Sequence, residues 1–266
     1  MTAIEPQARA AGATSDDLFL GGILNVRQPR NGYRAGTDAV LLAALFTAEN
    51  VREGPILDAG AGVGVVGLCI AARCPQARVV LIEREPDLMT LARRNIAEND
   101  LGARVSAVEA DIRRPTEALE RAGLKSETFR AVVANPPYHD EGRSTAAESR
   151  LKAASHQMPE AGLEGWARFM NRMAAPGGRA AMIHKAEALP RILEAFDGRF
   201  GALTVLPIYA HASEPAIRVI VSGIKGSRAP MAIRPGLVLH RADLGFIPEV
   251  EAVFRHGAAL PQTFGG

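Results

Sequence analysis

The stretch from Pro55 to Gly67 constrains this chain more than any other, because it reads Pro-Ile-Leu-Asp-Ala-Gly-Ala-Gly-Val-Gly-Val-Val-Gly. The apolar residues at its start predict the end of a buried strand, and the apolar run over residues 63–72 predicts the helix that follows. The glycines between them permit a tight turn and let the backbone approach a ligand closely. A strand, a glycine loop and a helix in this order present backbone N–H groups at the helix N-terminus, where the polar part of a nucleotide-like ligand can bind.

Two classes of ligand remain open for this loop. Gly62, Gly64 and Gly67 match the G-x-G-x-x-G pattern of dinucleotide-binding proteins. Asp58, however, stands at the end of the strand, where a carboxylate suits a cationic or amine-bearing ligand such as S-adenosylmethionine better than a pyrophosphate. A second predicted strand ends on Glu83, close to the spacing of about 20 residues that a ribose-binding acid shows. The loop and this second carboxylate together indicate a nucleotide-type ligand rather than a plain glycine turn.

The composition is that of an ordinary soluble globular chain. Its 266 residues are 47% hydrophobic and 23% charged, which is ample for a large core. The net charge is only +2, so a nucleic-acid signal has to come from local clusters of basic residues. Cys69 and Cys74 fit no metal-ligand spacing and predict reduced thiols in a cytoplasmic protein. The sequence shows no signal-peptide pattern and no apolar run of membrane length, so neither a membrane nor a metal partner is expected.

Strands alternate with helices along the chain. Further strands are predicted at 78–83, 104–110, 129–134 and 178–183, and helical patterns at 86–99, 163–173 and 186–196. Residues 203–208 and 217–224 are joined by a connection too short for a helix, so they are expected to pair antiparallel at the sheet edge. This pattern predicts an α/β fold with a single Rossmann-like, doubly wound, mostly parallel seven-stranded sheet and a terminal antiparallel hairpin strand.

The same pattern predicts four segments. Residues 1–16 are polar and alanine-rich, which is typical of a flexible tail. Residues 17–54 are expected to pack on the ligand site, and their helix is expected to be capped by Thr37 or the residue after it. Residues 55–256 form the main domain, and residues 257–266 form a second flexible tail.

Two basic stretches are candidates for phosphate contact. Arg27, Arg30 and Arg34 stand within one short span that contains no acidic residue. Residues 215–242, which include Arg218, form the second stretch and also contain no acid. Each stretch either binds phosphate or forms an ordinary solvated surface.

The tetrapeptide Asn135-Pro136-Pro137-Tyr138 follows the predicted strand 129–134 at its carboxyl end, where ligands bind in open α/β sheets. The two prolines stiffen the loop and remove two N–H donors. The loop then presents the Asn135 side-chain oxygen and the Pro136 carbonyl, two acceptors that suit a planar amino group. Tyr138 offers a ring face on which a base can stack. A turn that simply ends a strand is the plainer alternative.

Together these motifs resemble the class I S-adenosylmethionine-dependent methyltransferases, whose first motif is similar to Asp58-x-Gly60-x-Gly62-x-Gly64. The Asn-Pro-Pro-Tyr loop resembles that of enzymes that methylate exocyclic amino or amide nitrogens. The segment 36–42, Gly-Thr-Asp-Ala-Val-Leu-Leu, resembles the "small-domain" subgroup. The combination is most similar to the bacterial tRNA1(Val) adenine-37 N6-methyltransferase family, over residues 18–255.

The resemblance implies S-adenosylmethionine as cofactor, RNA and above all tRNA as partner, and methyl transfer to adenine N6 as the reaction. It implies that the catalytic residues are those of the proline loop, Asn135, Pro136, Pro137 and Tyr138. It implies cofactor contacts at Thr37, Asp58, Gly60, Gly62, Gly64, Glu83, Asp111 and Asn135. Phosphate contacts are expected from Arg27, Arg30 and Arg34 and, within the loop 139–157, from Arg143, Arg150 and Lys152.

Other substrates remain open for the same motifs. They are a protein glutamine, methylated at N5, a guanine N2 in ribosomal RNA and an adenine in DNA; a further alternative is a non-catalytic RNA-binding module of the same fold. A glutamine enzyme usually carries a helical domain at its N-terminus, and the residues before Pro55 are few and polar. A DNA enzyme usually needs a target-recognition insertion, which the sequence does not show. The motifs indicate neither the particular RNA nor the oligomeric state.

Overall fold

The computed structural model describes residues 13–31, 34–51, 54–138 and 162–261. A small hairpin comes first, in which β1 (Thr14–Phe19) pairs antiparallel with β2 (Leu24–Pro29). A short 3-10 helix (Leu20–Gly22) turns the chain between them. The hairpin forms a sheet of its own, apart from the large sheet that carries the rest of the fold.

The first strands of the large sheet are short and mostly apolar, as in parallel sheets covered on both faces. The strands of this sheet are β3 (Ile56–Ala59), β4 (Val79–Glu83), β5 (Val105–Glu109), β6 (Phe129–Ala134), β7 (Ala174–Lys185), β8 (Phe200–Tyr209), β9 (Ala216–Lys225), β10 (Ala232–Ile233) and β11 (Leu237–Val238). The helices in the described residues are α1 (Thr37–Ala43), α2 (Val65–Arg73), α3 (Pro86–Glu98), α4 (Thr116–Arg121), α5 (Leu163–Met173), α6 (Leu189–Phe196) and α7 (Pro248–His256). None of these helices is long and apolar enough to cross a membrane.

The strand order is β10-β8-β9-β7-β6-β3-β4-β5, and β11 also pairs with β8. Strands β3 to β7 run parallel, whereas β9 lies antiparallel between β7 and β8. The predicted fold class is therefore confirmed, including the antiparallel pairing of the late hairpin. The sheet has two strands more than predicted, β10 and β11, which pair parallel with β8. Each is two residues long, too short for a periodic pattern to reveal.

The sheet separates two apolar cores. Helices α1, α2, α3 and α7 and the hairpin cover one face, and α4, α5 and α6 cover the other. Because side chains alternate along a strand, Ile56 belongs to the first core while Leu57 and Ala59 belong to the second. The same alternation turns Asp58 toward α2, which determines its environment.

The chain ends differ from the predicted flexible tails. Residues 14–16, predicted as part of the tail 1–16, belong to β1 because β2 supplies their ladder partners. At the other end, Leu260 is buried, and its N–H donates to the carbonyl oxygen of Ala44 at 2.9 Å. The first residues of the predicted tail 257–266 therefore pack against the end of α1. Residues 1–12 and 262–266 of these tails lie outside the described ranges.

Candidate active site

A cavity of about 270 Å³ opens beside the carboxyl ends of β3, β4, β5 and β6. This is the edge of an open α/β sheet at which ligands bind. Its lining brings together six residues that the sequence singled out, Gly60, Gly62, Glu83, Asp111, Asn135 and Pro137. Residues from four separate strand ends thus meet around one volume.

The glycine loop forms one wall of the cavity. Gly60 has a φ of 64°, and a Cβ built there would lie 2.3 Å from Cη2 of Trp166. Trp166 comes from α5 and lines the cavity, so its indole rests on the loop where only glycine leaves room. The helical spacing of Trp166 with Leu163 and Met170 predicts packing in the core or in a lid, and the structure adds that the indole lines the cavity.

Behind the loop, glycine also brings α2 close to the sheet. A Cβ at Gly67 would lie 2.3 Å from Leu81 and 2.9 Å from Val79 on β4. Gly64, a predicted cofactor contact, has a φ of 96° at the N-cap of α2 and lies outside the cavity lining that the described residues form. Its role in the structure is to turn the chain into α2.

Glu83 is the acidic residue of the cavity wall. One carboxylate oxygen accepts from the N–H of Gly62 at 2.9 Å. The other accepts from the N–H groups of Arg84 and Glu85 at 2.8 Å and 3.0 Å. The carboxylate is therefore fixed in orientation, and it retains acceptor capacity because two oxygens offer about four lone-pair sites.

Asp58 differs from its prediction as a ligand contact. The side chain is 1% exposed, and its Oδ2 accepts from the N–H of Gly67 at 2.9 Å. Burial raises the pKa of this carboxyl to about 7, opposed by the Gly67 hydrogen bond and supported by the nearby charge of Glu83. It lies outside the described cavity lining, since strand alternation turns it beneath α2. Asp58 ties the helix to the strand rather than facing the cavity.

Asp111 lines the cavity with its carboxylate already paired. The Arg113 guanidinium donates to both carboxylate oxygens, with Nε at 2.9 Å from each, and the Arg113 N–H donates to Oδ1 at 2.9 Å. Burial alone would raise the pKa of Asp111, but the bonds from Arg113 outweigh it, so the pKa lies below the usual value. Arg113, which the sequence did not single out, thus pairs with an acid that the resemblance implies as a cofactor contact.

Asn135 and Tyr138 belong to a second polar cluster, next to the cavity. The Tyr138 hydroxyl lies 2.6 Å from Oδ2 of Asp38 and 3.0 Å from Oδ1 of Asn135, and both oxygens can accept its hydrogen. The Arg218 guanidinium donates from Nε to the same Asp38 oxygen at 2.8 Å. Neither Asp38 nor Arg218 was predicted to stand here, although both lie in stretches that the sequence singled out.

The Tyr138 ring is held from two sides. The Arg218 guanidinium lies over it at 5.0 Å from the ring centroid, and the His184 imidazole meets it edge to face with centroids 4.8 Å apart. Burial lowers the pKa of His184 to about 4, with help from neighbouring cations such as Lys185 and Arg191, so this imidazole is neutral at physiological pH. A base can use the face that Arg218 covers only by displacing the guanidinium.

The start of α1 differs from its prediction. Gly36 occupies the N-cap position, and no side chain caps the helix. Asp38 therefore does not act as the cap, because its carboxylate binds Tyr138 and Arg218 instead. Thr37 is exposed and lies outside the described cavity lining, so the structure does not bring it to the other predicted cofactor contacts.

The first basic stretch is engaged within the N-terminal hairpin. Arg27 pairs with Asp16 at 3.1 Å, and Arg34 pairs with Asp17 at 2.5 Å. Arg30 donates from Nε to the carbonyl oxygen of Thr14, on the same hairpin, at 2.9 Å. These contacts support the solvated-surface alternative more than a cluster of cations held ready for phosphate. The loop 139–157, with Arg143, Arg150 and Lys152, lies outside the described residues.

Comparison with known proteins assigns the class. The family model described as "Methyltransferase small domain" matches residues 34–163. The chain is 30% identical over 175 residues to the tRNA1(Val) (adenine(37)-N6)-methyltransferase of Porphyromonas gingivalis, which covers 65% of this chain and 67% of that protein. It is 33% identical over 122 residues to the protein of the same name from a Shewanella species, covering 46% and 48%. The match thus spans about half the length of the Shewanella relative.

The fold has a solved counterpart. A crystal structure titled as a predicted O-methyltransferase from Agrobacterium tumefaciens superposes with a TM-score of 0.70 and 33% identity, over 84% of this chain and 97% of that one. These matches, together with the doubly wound sheet, the glycine loop and the strand-end Glu83, place the chain in the class of S-adenosylmethionine-dependent methyltransferases. Within that class, the chain belongs to the methyltransferase small-domain family.

Proposed function

We propose that this protein transfers a methyl group to the exocyclic amino group of a nucleobase in RNA, with N6 of adenine in a tRNA anticodon loop as the target. One observation carries the proposal: Asn135 and Pro137 of the proline loop line the same cavity as the glycine loop and Glu83. The Asn135 residue, whose amide carries an acceptor suited to an amino group, therefore borders a nucleotide-type pocket. The names of the Porphyromonas and Shewanella relatives support the choice of tRNA and adenine.

The cavity residues fit S-adenosylmethionine. The Glu83 carboxylate, fixed by three backbone N–H groups, suits the ribose hydroxyls. Ile82, Leu88 and Ile112 give the wall the apolar surface that a flat adenine ring requires. Gly62, where a Cβ would meet nothing within 4 Å, presents bare backbone to the cavity. When bound, the cofactor supplies an electrophilic methyl group on a sulfonium.

The proline loop positions the amino group. The Asn135 oxygen and the Pro136 carbonyl would accept one hydrogen each, which would fix the plane of the –NH₂ group and the direction of its lone pair. The two prolines keep these acceptors in place with restricted φ angles. The chain need not supply a general base, because the methylated amine is cationic and acidic enough to lose its proton to water.

Access to the base favours a loop in RNA as substrate. The target must leave its stack to enter a pocket, which costs least where the nucleotide is already unpaired. Phosphate contacts from the loop 139–157 belong to this proposal, as does a cytoplasmic location, whereas the arginines of the hairpin would have to exchange their present partners to reach phosphate. RNA affinity should fall steeply as the salt concentration rises. If Arg30 contacts phosphate, Arg30→Gln should make this fall less steep, whereas the control Arg94→Gln on α3 should leave it unchanged.

The proposal is tested by identifying the methylated product. The protein is incubated with methyl-labelled S-adenosylmethionine and total RNA, and the digested nucleosides are separated; we expect N6-methyladenosine from a tRNA. Label in N2-methylguanosine would show instead that the protein methylates guanine N2. Label in protein glutamine or in a hydroxyl group would overturn the RNA amine proposal, and the name of the Agrobacterium protein makes the oxygen control necessary.

The cofactor site gives a prediction for Glu83. Replacing Glu83 with Gln keeps one acceptor oxygen but removes the charge, so affinity for S-adenosylmethionine should fall roughly 10-fold, the difference between a charged and a neutral hydrogen bond. Trp166, the single tryptophan of the chain, lines the cavity and reports binding by its fluorescence. Glu109→Gln, at the exposed end of β5, is the matched control and should bind as the unmodified protein does. Equal affinities for all three proteins would contradict the assignment.

A further inference from the structure

A column of four aromatic and imidazole rings leads from the first core to the surface of the protein. Phe254 of α7 packs against that core and contacts Phe246, with ring centroids 4.9 Å apart. Phe246 stacks on His240, with centroids 4.8 Å apart and planes inclined by 20°. His240 in turn contacts His211, with centroids 5.5 Å apart and planes inclined by 36°. Within the described residues these ring contacts end at His211, which is partly exposed.

Hydrogen bonds fix the two imidazoles of this column. The backbone N–H of His240 donates to the carbonyl oxygen of Ala210 at 3.0 Å, and its Nδ1 lies 3.1 Å from the carbonyl oxygen of Leu244. A carbonyl oxygen can only accept, so Nδ1 carries the hydrogen and the ring is held in one orientation. His211 begins the tight turn between β8 and β9, where its carbonyl oxygen accepts from the N–H of Glu214 at 3.1 Å. The column is therefore a preformed surface.

The column stands at the edge of the sheet that carries the candidate active site. Strand β8 runs parallel to β6 and β7, because β9 lies antiparallel to both β7 and β8. The turn after β8 therefore lies at the carboxyl ends of the parallel strands, as the proline loop after β6 does. In the order of the sheet, β8 is three strands away from β6. At about 4.8 Å per strand this separation is about 14 Å, the length of roughly four stacked nucleotides at about 3.4 Å each.

Flat rings at this position suit the unpaired bases of a nucleic acid. Every base has a flat face, so stacking on rings binds single strands with little dependence on sequence. The chain between the two imidazoles is also favourable for RNA, because residues 215–242 contain no acid. Next to His240, the Arg241 guanidinium pairs with Asp243 at 3.2 Å, with side chains that are 51% and 66% exposed. Such exposed ion pairs contribute little, so this guanidinium is able to turn to a phosphate.

We propose that His211, supported by His240 and Phe246, stacks on an unpaired base of the RNA close to the nucleotide that is methylated. The base packs on the side of the imidazole that His240 leaves uncovered, and Arg241 contacts a neighbouring phosphate. Binding a flanking base at this place orients the strand so that the target nucleotide reaches the cavity beside the proline loop. The inference rests on the proposed function, in which the substrate is an RNA loop with unpaired bases on both sides of the target.

The affinity of the protein for loop RNA tests this inference. The probe is an anticodon stem–loop RNA labelled with fluorescein, and its binding is followed by fluorescence anisotropy. His211→Ala should weaken binding about 10-fold, the usual effect of losing one ring on which a base stacks, whereas His211→Phe should bind as the unmodified protein does. His211→Leu is bulky but has no flat ring, so it should bind as weakly as His211→Ala. Equal affinities of His211→Ala and the unmodified protein would overturn the inference.

A matched histidine provides the control. His256 is exposed at the end of α7, and the carbonyl oxygen of the next residue, Gly257, accepts from Arg73 at 2.7 Å. Arg73 is the last residue of α2, which begins at the carboxyl end of β3 and therefore ends at the opposite edge of the sheet. His256→Ala should leave RNA affinity unchanged. Cofactor affinity, followed by Trp166 fluorescence, and thermal unfolding should be the same in His211→Ala as in the unmodified protein, because His211 lies in a surface turn.

The base that stacks can be located with 2-aminopurine, a fluorescent base whose emission falls when it stacks on another ring. Each loop base of the stem–loop RNA is replaced by 2-aminopurine in turn. At one position near the target, the unmodified protein should quench the emission and His211→Ala should not. A fully paired duplex of the stem sequence should bind both proteins equally. A duplex that loses as much affinity as the loop RNA does in His211→Ala would overturn stacking on an unpaired base.

These measurements do not require methyl transfer, so the inference and the proposed function can fail separately. Quenching that depends on His211, in a protein that does not methylate N6 of adenine, would support the inference and refute only the proposed target. Formation of N6-methyladenosine by a protein whose RNA contacts are the same with and without His211 would refute only the inference. If the unmodified protein did not bind the stem–loop RNA, both would be overturned.

Discussion

Replacement of Asn135 with alanine is expected to slow methyl transfer by about 10²–10³-fold, the usual cost of losing one positioned hydrogen-bonding group in an active site. The acceptor bond to the amino group strengthens as positive charge develops on the nitrogen. Its loss should therefore lower kcat more than it changes ground-state binding. Single-turnover rates with saturating cofactor and RNA measure the effect directly.

The control for this prediction lies at the other end of the sheet. Asn171 stands near the end of α5, where Lys225 binds its backbone carbonyl oxygen at 2.7 Å, far along the strands from the cavity. Asn171→Ala should keep the full rate. Folding of Asn135→Ala, followed by its thermal unfolding, should be preserved because the residue follows β6 and is only half-buried. A full rate in Asn135→Ala would remove the proline loop from the active site.

The stability of the protein is expected to fall as pH rises from acid to mildly alkaline values, because of Asp58. Its pKa of about 7 in the folded state lies above the ordinary 3.8 of an unfolded aspartate. A raised folded pKa means that the folded protein holds the proton more tightly. This contribution is fully present below pH 3.8 and is lost as pH rises through 7. It amounts to at most about 4 kcal/mol, of which about 2 kcal/mol is lost between pH 5.5 and pH 8.

Urea unfolding of Asp58→Asn at those two pH values isolates the effect. Asparagine keeps an acceptor for the Gly67 N–H but carries no titrating group, so the variant should lack this part of the pH dependence. Asp197→Asn, an exposed change just after α6, should keep the slope of the unmodified protein. If Asp58→Asn showed the same loss of stability between the two pH values, the buried carboxyl would not be its source.

The two strand-end acids show how far local sequence can predict a site. Glu83 and Asp58 both follow apolar runs next to the glycine loop, and both were expected to contact the ligand. Glu83 is the last residue of β4 and reaches the cavity, whereas Asp58 is followed by Ala59 within β3 and stays beneath α2. Whether the acid is the last residue of its strand or the one before it thus decides whether it lines the cavity, like Glu83, or is buried under a helix, like Asp58. Hydrophobic periodicity does not locate strand boundaries to within one residue.

Local sequence patterns did not predict contacts between residues that are far apart in the chain. The arginines of the first basic stretch were predicted as a cluster, but their partners Asp16 and Asp17 lie in or next to a segment assigned to a tail. These ion pairs form because β1 pairs antiparallel with β2, which brings the acids of one strand close to the arginines of the other. The register of that strand pairing cannot be deduced from the spacing of residues along the chain. In the same way, sequence motifs predicted the proline loop, but only the folded chain brings Asp38 and Arg218 to it.

Because β9 lies late in the sequence, its residues are among the last of the polar cluster around Tyr138 to be synthesised. Chains emerge from the ribosome N-terminus first, and the residues of the cavity lining, as far as the structure describes it, all precede residue 167. Arg218 lies on β9, so the counter-ion of Asp38 is made only after the whole cofactor pocket has left the peptidyl transferase centre. A nascent chain interrupted between these points carries every pocket residue without the ion pair beside Tyr138. In the order of synthesis, the residues of the described cavity lining therefore precede the arginine that pairs with Asp38.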